Sequence, residues 1–156
     1  MKEIAKAYNI CIRLLAPRAR SIYEVKEHLR KKQFDETLIL DIIEKLEHEK
    51  LLNDREFAAM FVEQRERFNP KSKFALSYEL KKKGIDECLI EECLMEIDEF
   101  ASAWNAISSR VPLWQGYEDD KFKKKVMNYL KNRGFGYEVS ISTLEKALES
   151  RNRMEL

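Results

Sequence analysis

One short block of sequence occurs three times at nearly equal spacing. Leu29 is followed by Arg30, Lys31, Lys32, Gln33, Phe34 and Asp35. Fifty-one residues on, Leu80 is followed by Lys81, Lys82, Lys83, Gly84, Ile85 and Asp86. Fifty further on, Leu130 is followed by Lys131, Asn132, Arg133, Gly134, Phe135 and Gly136. Leucine, basic tract, turn and apolar residue keep their order each time. Self-similarity at this period marks a repeat architecture, in which one unit cannot bury its apolar face alone and must share it with a neighbour.

The register extends beyond the turn. Leu38, Ile39, Ile42, Ile43 and Leu46 lie at helical spacing, and adding 51 to each gives Leu89, Ile90, Cys93, Leu94 and Ile97, all apolar. Upstream, Val25 and Leu29 correspond to Leu76 and Leu80, then to Val126 and Leu130. In the third copy the last stripe has drifted to Val139, Ser140, Thr143, Leu144 and Ala147.

Each copy reads as three short helices. They are predicted at 4–16, 21–32 and 36–49, then 54–68, 71–83 and 87–98, then 99–110, 120–133 and 137–149. Ser21 with Glu24 has the spacing of a capping box, and Asn53 with Glu56 a similar one. Asn69 before Pro70 fits an N-cap followed by an N1 proline. Gly84 and Gly134 suit the positive φ at a helix C-terminus, whereas Gln33 in the same slot bears a steric cost that glycine avoids. Asp35 and Asp86 then stand as N-caps. The expected fold is all-α: three tandem three-helix repeats, at 1–52, 53–98 and a divergent 99–156, stacked into an elongated, curved body, with a compact bundle as the alternative. Composition agrees with this. Only 4 Gly and 3 Pro occur in 156 residues, and charged residues make up 37%, against a usual ~25%, as expected of helices with solvated faces.

Several function classes are disfavoured. The three cysteines, Cys11, Cys88 and Cys93, are odd in number and irregular in spacing, so they form no disulfide framework. Cys88 and Cys93 read as small core residues. No apolar run approaches the ~18 residues of a membrane helix. The N-terminal Met1-Lys2-Glu3 is charged rather than signal-like, so the cytoplasm is the expected compartment. His28 and His48 sit in charged helices without Cys or acid at metal spacing, and the glycines form no phosphate loop. No catalytic, metal or cofactor residue is assigned, and the chain is expected not to be an enzyme.

The middle copy carries the most distinctive residues. Leu51-Leu52-Asn53-Asp54-Arg55-Glu56-Phe57-Ala58 is followed by Arg65, then by Glu79-Leu80-Lys81-Lys82-Lys83-Gly84-Ile85-Asp86. With Arg18-Ala19-Arg20-Ser21 and Glu24-Val25 in the first copy, this order resembles the RecX family over nearly the whole chain. Departures are Asn69-Pro70-Lys71-Ser72-Lys73-Phe74, where relatives often have glycine–proline and a basic residue, and Gln33 in place of glycine. The resemblance implies a monomer that binds the RecA recombinase and its filament on single-stranded DNA. It implies inhibition of ATP hydrolysis, strand exchange and co-protease activity, with weak direct DNA binding besides. Recombination, DNA repair and the SOS response are the processes implied. A helical-repeat DNA-binding module acting without RecA is the alternative.

Net charge is +1, yet it is unevenly distributed. The middle helices end in Arg30, Lys31 and Lys32, in Lys81, Lys82 and Lys83, and in Lys131 and Arg133; the third copy adds Lys121, Lys123, Lys124 and Lys125. The following helices in copies one and two have acidic outer faces. Cations at a helix C-terminus complement its dipole, and charged runs commonly form solvated faces. Recurrence of the tract in equivalent places points instead to a basic stripe facing a nucleoprotein filament. Arg18, Arg20, Arg65, Lys71 and Lys73 join the set from loop junctions, where function concentrates; Arg65 reads equally as capping a helix or pairing with the neighbours of Glu66. Phe57, Phe61, Phe74 and Tyr78 read as core, as do Trp104 and Trp114, either of which could instead anchor an interface.

Overall fold

The apolar stripes become the buried faces of helices. A computed structural model describes residues 2–154, and among these all regular structure is helical. The elements are α1 (Lys2–Leu15), α2 (Ile22–Lys31), α3 (Glu36–His48), α4 (Asp54–Phe68), α5 (Lys73–Lys82), α6 (Glu87–Leu94), α7 (Glu99–Ile107), α8 (Val111–Trp114), α9 (Asp119–Asn132) and α10 (Tyr137–Met154). α7 ends at Ile107 rather than 110, and further differences fall on α6, α8 and α10. α6 stops at Leu94, and the turn after it leads to Asp98, whose carboxylate caps α7 by accepting from the Phe100 and Ala101 N–H groups. The single-turn α8, with Pro112 in its first turn, is an addition. α10 runs five residues past the predicted 149.

The chain divides into two compact units. One comprises the described residues through Phe61 with Glu79–Cys93, the other Val62–Tyr78 with the described residues from Leu94 onward. In the first, α1, α2 and α3 pack on one another around Ala7, Cys11, Val25, Leu29, Ile39, Ile42 and Leu46. In the second, α7, α9 and α10 enclose Ala103, Ile107, Phe122, Val126, Leu130, Leu144 and Ala147. The repeat-equivalent residues Val25, Leu76 and Val126, and Leu29, Leu80 and Leu130, are all fully buried.

The middle helices share one ending. The Gln33 N–H donates to Arg30 O at 2.9 Å and the Phe34 N–H to Leu29 O at 3.2 Å; Gly84 and Ile85 repeat this with Lys81 and Leu80, and Gly134 and Phe135 with Lys131 and Leu130. This is the Schellman arrangement, which satisfies the last carbonyls and needs a left-handed residue at its centre. Gln33, Gly84 and Gly134 have φ of 67°, 75° and 87°. Lys50, after α3, adopts φ 62° in a fourth such turn.

The glycines serve packing as well as φ. A Cβ on Gly84 would lie 2.3 Å from the Tyr23 Cβ, and one on Gly134 would lie 2.5 Å from Ser72 Oγ. Ser21 and Ser72 are repeat-equivalent and both buried. The Ser21 hydroxyl donates to Lys83 O at 2.7 Å, and the Ser72 N–H to Arg133 O at 3.1 Å. The start of one middle helix therefore seats on the turn that closes the next, once in each unit. A side chain is tolerated at Gln33, which is exposed.

The caps form in part as expected. Ser21 and Glu24 form the full capping box, Oγ accepting from Glu24 N at 3.2 Å and Oε1 from Ser21 N at 3.1 Å. Asn53 Oδ1 accepts from Glu56 N, and Asp86 from Cys88 N. Asp35 occupies its N-cap position without a side-chain bond. Asn69 is not the cap of α5, because that helix begins at Lys73 and the Ser72 hydroxyl accepts from Ala75 N at 3.0 Å. Seating Ser72 against Arg133 delays the helix start past Pro70.

Exchanging Gln33 for Gly should raise stability by about 1 kcal/mol, the approximate relief of a left-handed non-glycine residue. Gly84→Ala should cost about 2–4 kcal/mol, adding overpacking to the same strain. Urea unfolding of the two variants checks the opposite signs.

Candidate functional site

Each basic tract lies where a middle helix ends, at the negative end of the helix dipole, which cations offset. The tracts are not uniform. Lys31, Lys32, Lys81, Lys82 and Lys131 are exposed. Arg30 is exposed but engaged, donating to Glu27 Oε1 at 2.6 Å and to Glu36 Oε1 at 2.6 Å. Lys83 is half-buried, with Nζ 3.2 Å from Glu24 Oε2, and Arg18 Nη2 lies 2.8 Å from the same oxygen. Lys123 and Lys124 lie exposed on α9, while Arg65, Lys71 and Lys73 are half-buried. The Lys73 N–H donates to Glu99 Oε1 at 2.7 Å, so its position is fixed through its backbone.

Glu24 gathers one end of α2. Burial pushes its carboxyl up, but the Arg18 guanidinium, the Ser21 N–H and Lys83 outweigh that and hold it at about 2. Two cations of the sequence-derived set, Arg18 and Lys83, are therefore partly consumed in holding the joint at Ser21. Nearby, the Arg20 Nε is buried with no hydrogen-bond partner. His28 is depressed by burial and by Lys32, Arg20 and Lys31, which reports a positive local potential.

The aromatic residues depart most from expectation. Phe57 is buried and Phe61 half-buried, but Phe74 is 79% exposed and Tyr78 57%. Both sit one turn apart on α5, away from the Leu76–Leu80 stripe. The repeat itself carried the signal: subtracting 51 maps them onto Tyr23 and Glu27, which are solvent-facing positions. Phe68 at the end of α4 is also 76% exposed. Trp104 and Trp114 pack partly buried against the second unit's core. Cys88 is exposed and Cys93 half-buried, so only Cys93 is partly withdrawn from solvent as expected. Burial raises Cys93, and Asp86 raises Cys88.

Within the second unit, Arg133 lies 3.8 Å and Arg110 5.4 Å from the Tyr129 ring centroid. With Glu66, Arg67 and Phe68 they line a polar recess of about 460 Å³. Sequence reasoning also missed Arg151, which is 6% exposed. It bonds Asp119 Oδ1 at 2.8 Å, Gln115 O at 3.3 Å and Tyr117 O, tying α10 to the first residue of α9 and to the segment before it. Its charge makes it look like a surface residue of a polar helix end. Among the described residues no group of His, Cys, Asp and Glu could hold a metal ion, and no helix is long and apolar enough to cross a membrane.

These features define a class: an all-helical protein of repeated three-helix units that presents cations at equivalent helix ends. Residues 7–46 match the family model described as RecX, first three-helix domain, and residues 53–94 that of RecX, second three-helix domain. The chain is 38% identical over 146 residues to "Regulatory protein RecX" of Chlorobium phaeobacteroides strain BS1, covering 93% of this chain and 95% of that one. The protein of the same name from Bacillus subtilis strain 168 is 30% identical, across 92% of this chain but 56% of its own. The crystal structure of RecX from Lactobacillus salivarius superposes with a TM-score of 0.78 at 23% identity, covering 94% of this chain and 97% of that chain. The chain belongs to the RecX family of regulatory proteins.

The stability contributed by Glu24 should be complete above the ordinary carboxylate range near 4.5 and lost as pH falls toward about 2. Denaturation of wild type and Glu24→Gln should differ at pH 7 and converge at the acid end. Reversing Lys31 and Lys32 to Glu should raise the His28 pKa, because two repelling charges become attracting ones; an NMR titration of the imidazole reads it directly.

Proposed function

We propose that this chain binds RecA and its filament on single-stranded DNA and inhibits ATP hydrolysis, strand exchange and co-protease activity. It acts as a monomer in the cytoplasm, within recombinational DNA repair and the SOS response. The observation that carries this reading is the return of cations to the same helix-ending turn in all three repeats of a chain that belongs to the RecX family. A filament presents identical features at regular intervals, and a chain with equivalent cations at regular intervals can meet several of them together. Multiple weak contacts made this way add up through effective concentration. The name of the relatives, regulatory protein RecX, supports the recombinase as the partner.

Exposure and ion pairing rank the contacts. Lys31, Lys32, Lys81, Lys82 and Lys131 are the exposed members of the tract and are proposed to meet the filament. Arg133 and Arg30 flank them, and Arg20, Arg65, Lys71, Lys73, Lys123 and Lys124 extend the basic surface. Lys83 and Arg18 contribute mainly by fixing α2 through Glu24.

Charge reversal of Lys32, Lys81 and Lys131 to Glu, leaving Lys83 in place, should weaken binding to a fluorescently labelled RecA–single-stranded DNA filament by about tenfold or more at low salt, with a shallower salt dependence. Circular dichroism should be unchanged. Undiminished affinity in a folded triple variant would remove these residues from the interface.

A further inference from the structure

The joint between a middle-helix start and the turn beneath it occurs once in each unit, and the two joints differ in charge. In the first unit, the Glu24 carboxylate gathers Arg18 and Lys83. Adding 51 to 18 and 24, and 50 to 83, gives Asn69, Ala75 and Arg133 in the second unit. Ala75 sits on the Gly134 turn, so its methyl group stands where the first joint has its carboxylate. Arg133 keeps the cation without that acid, and its buried Nε has no hydrogen-bond partner. Asn69 and Arg133 both line the second unit's polar recess of about 460 Å³.

The recess brings donors and one acceptor together. The Arg133 and Arg110 guanidiniums lie 3.8 Å and 5.4 Å from the Tyr129 ring centroid, so one aromatic ring holds both. Glu66 also lines it. One oxygen of its carboxylate accepts from the Ser102 hydroxyl at 2.6 Å, which fixes the group. The other oxygen is buried with no hydrogen-bond partner. Asn69 and Asn105 add amides that both donate and accept. Phe68 lines the recess too, yet is 76% exposed, so its ring forms an apolar rim.

A ligand for these walls must accept from guanidinium and donate to carboxylate. The planar fork of arginine matches a carboxylate. A peptide backbone supplies an N–H for Glu66 and both kinds of group for the asparagine amides. A phosphodiester backbone has no donor for Glu66, and its charge is repelled by that carboxylate. We propose that the recess binds a short acidic segment of a partner protein. An aspartate or glutamate of that segment sits on Arg110 and Arg133, as Glu24 sits on Arg18 and Lys83 in the first joint, and an apolar neighbour lies on Phe68. This goes beyond the recombinase reading and uses none of its exposed lysines.

The test uses the full chain and no recombinase. Anisotropy titrations compare two fluorescein-labelled peptides with blocked ends, Gly-Ser-Phe-Asp-Asp-Phe-Ser-Gly and the same peptide with Asn for Asp. The acidic peptide should bind saturably and about tenfold tighter or more, the scale of a charge-assisted hydrogen-bonded pair. Arg133→Lys keeps the charge but loses the fork, and should weaken that peptide by about tenfold. Ala75→Glu, which gives the second joint a carboxylate of its own, should do the same by occupying Arg133. Phe68→Ala should cost about fivefold. Arg110→Ala, at an exposed position, repeats the measurement if circular dichroism shows that a change at Arg133 or Ala75 disturbs the fold. Equal affinity for the Asn peptide would overturn the proposal, as would absence of binding or unchanged affinity in the folded arginine variants. A labelled oligonucleotide that loses as much affinity as the peptide in Arg133→Lys would assign the recess to nucleic acid and overturn it too. Filament binding lost in the Lys32, Lys81 and Lys131 variant with peptide binding intact, or the reverse, separates failure of one reading from failure of the other.

Discussion

The turn that closes each middle helix sets both the packing of the core and the placement of the surface cations. It must hold a left-handed residue to satisfy the last carbonyls, and in two of the three repeats it must also leave room for another helix start. Gly84 and Gly134 meet both demands, and Ser21 and Ser72 complete the joint by bonding the carbonyls of Lys83 and Arg133. Once that joint is set, the rotation of the middle helix is set too. Val25 and Leu29, or Leu76 and Leu80, or Val126 and Leu130, must point inward, and the residues between them must point out. The cations at the helix ends are therefore placed by the same backbone requirement that closes the core.

Charge is distributed around that joint. A formal net charge of +1 conceals a division between cations that hold the structure and cations that face solvent. Arg18 and Lys83 converge on Glu24, and Arg151 on Asp119 and two carbonyls. These partly buried contacts resist screening better than exposed ones do. Lys31, Lys32, Lys81 and Lys131 lie in the open, where their attraction for a polyanion falls with salt.

The fold was largely legible. The Leu–basic–turn block, the apolar stripes and the Ser21–Glu24 capping box are local signals, and local signals survive into structure when tertiary contacts agree with them. Features that depend on distant partners were not. Ser72 rather than Asn69 begins α5 because Ser72 is held against Arg133, sixty-one residues away. Arg151 is buried because three acceptors from 115 to 119 surround it. Phe74 and Tyr78 have the spacing of a core pair but lie outside the stripe set by Leu76 and Leu80, a distinction that comparison of the repeats makes and hydrophobicity alone does not. Of the candidate site, the exposed lysines could be read directly, while the engagement of Arg18, Lys83 and Arg30 could not, since sequence does not reveal which carboxylates meet them. Periodicity implied a partner with repeated features; the recombinase came from resemblance to a family, and membership of that family is borne out across 93% of the chain.

The most direct measurement of the central claim is the steady-state rate of ATP hydrolysis by RecA on single-stranded DNA as this protein is added. The rate should fall saturably, completely at substoichiometric or stoichiometric amounts, and salt should relieve the fall. A rate that stays constant from far below to far above equimolar protein, with the chain folded throughout, would contradict it.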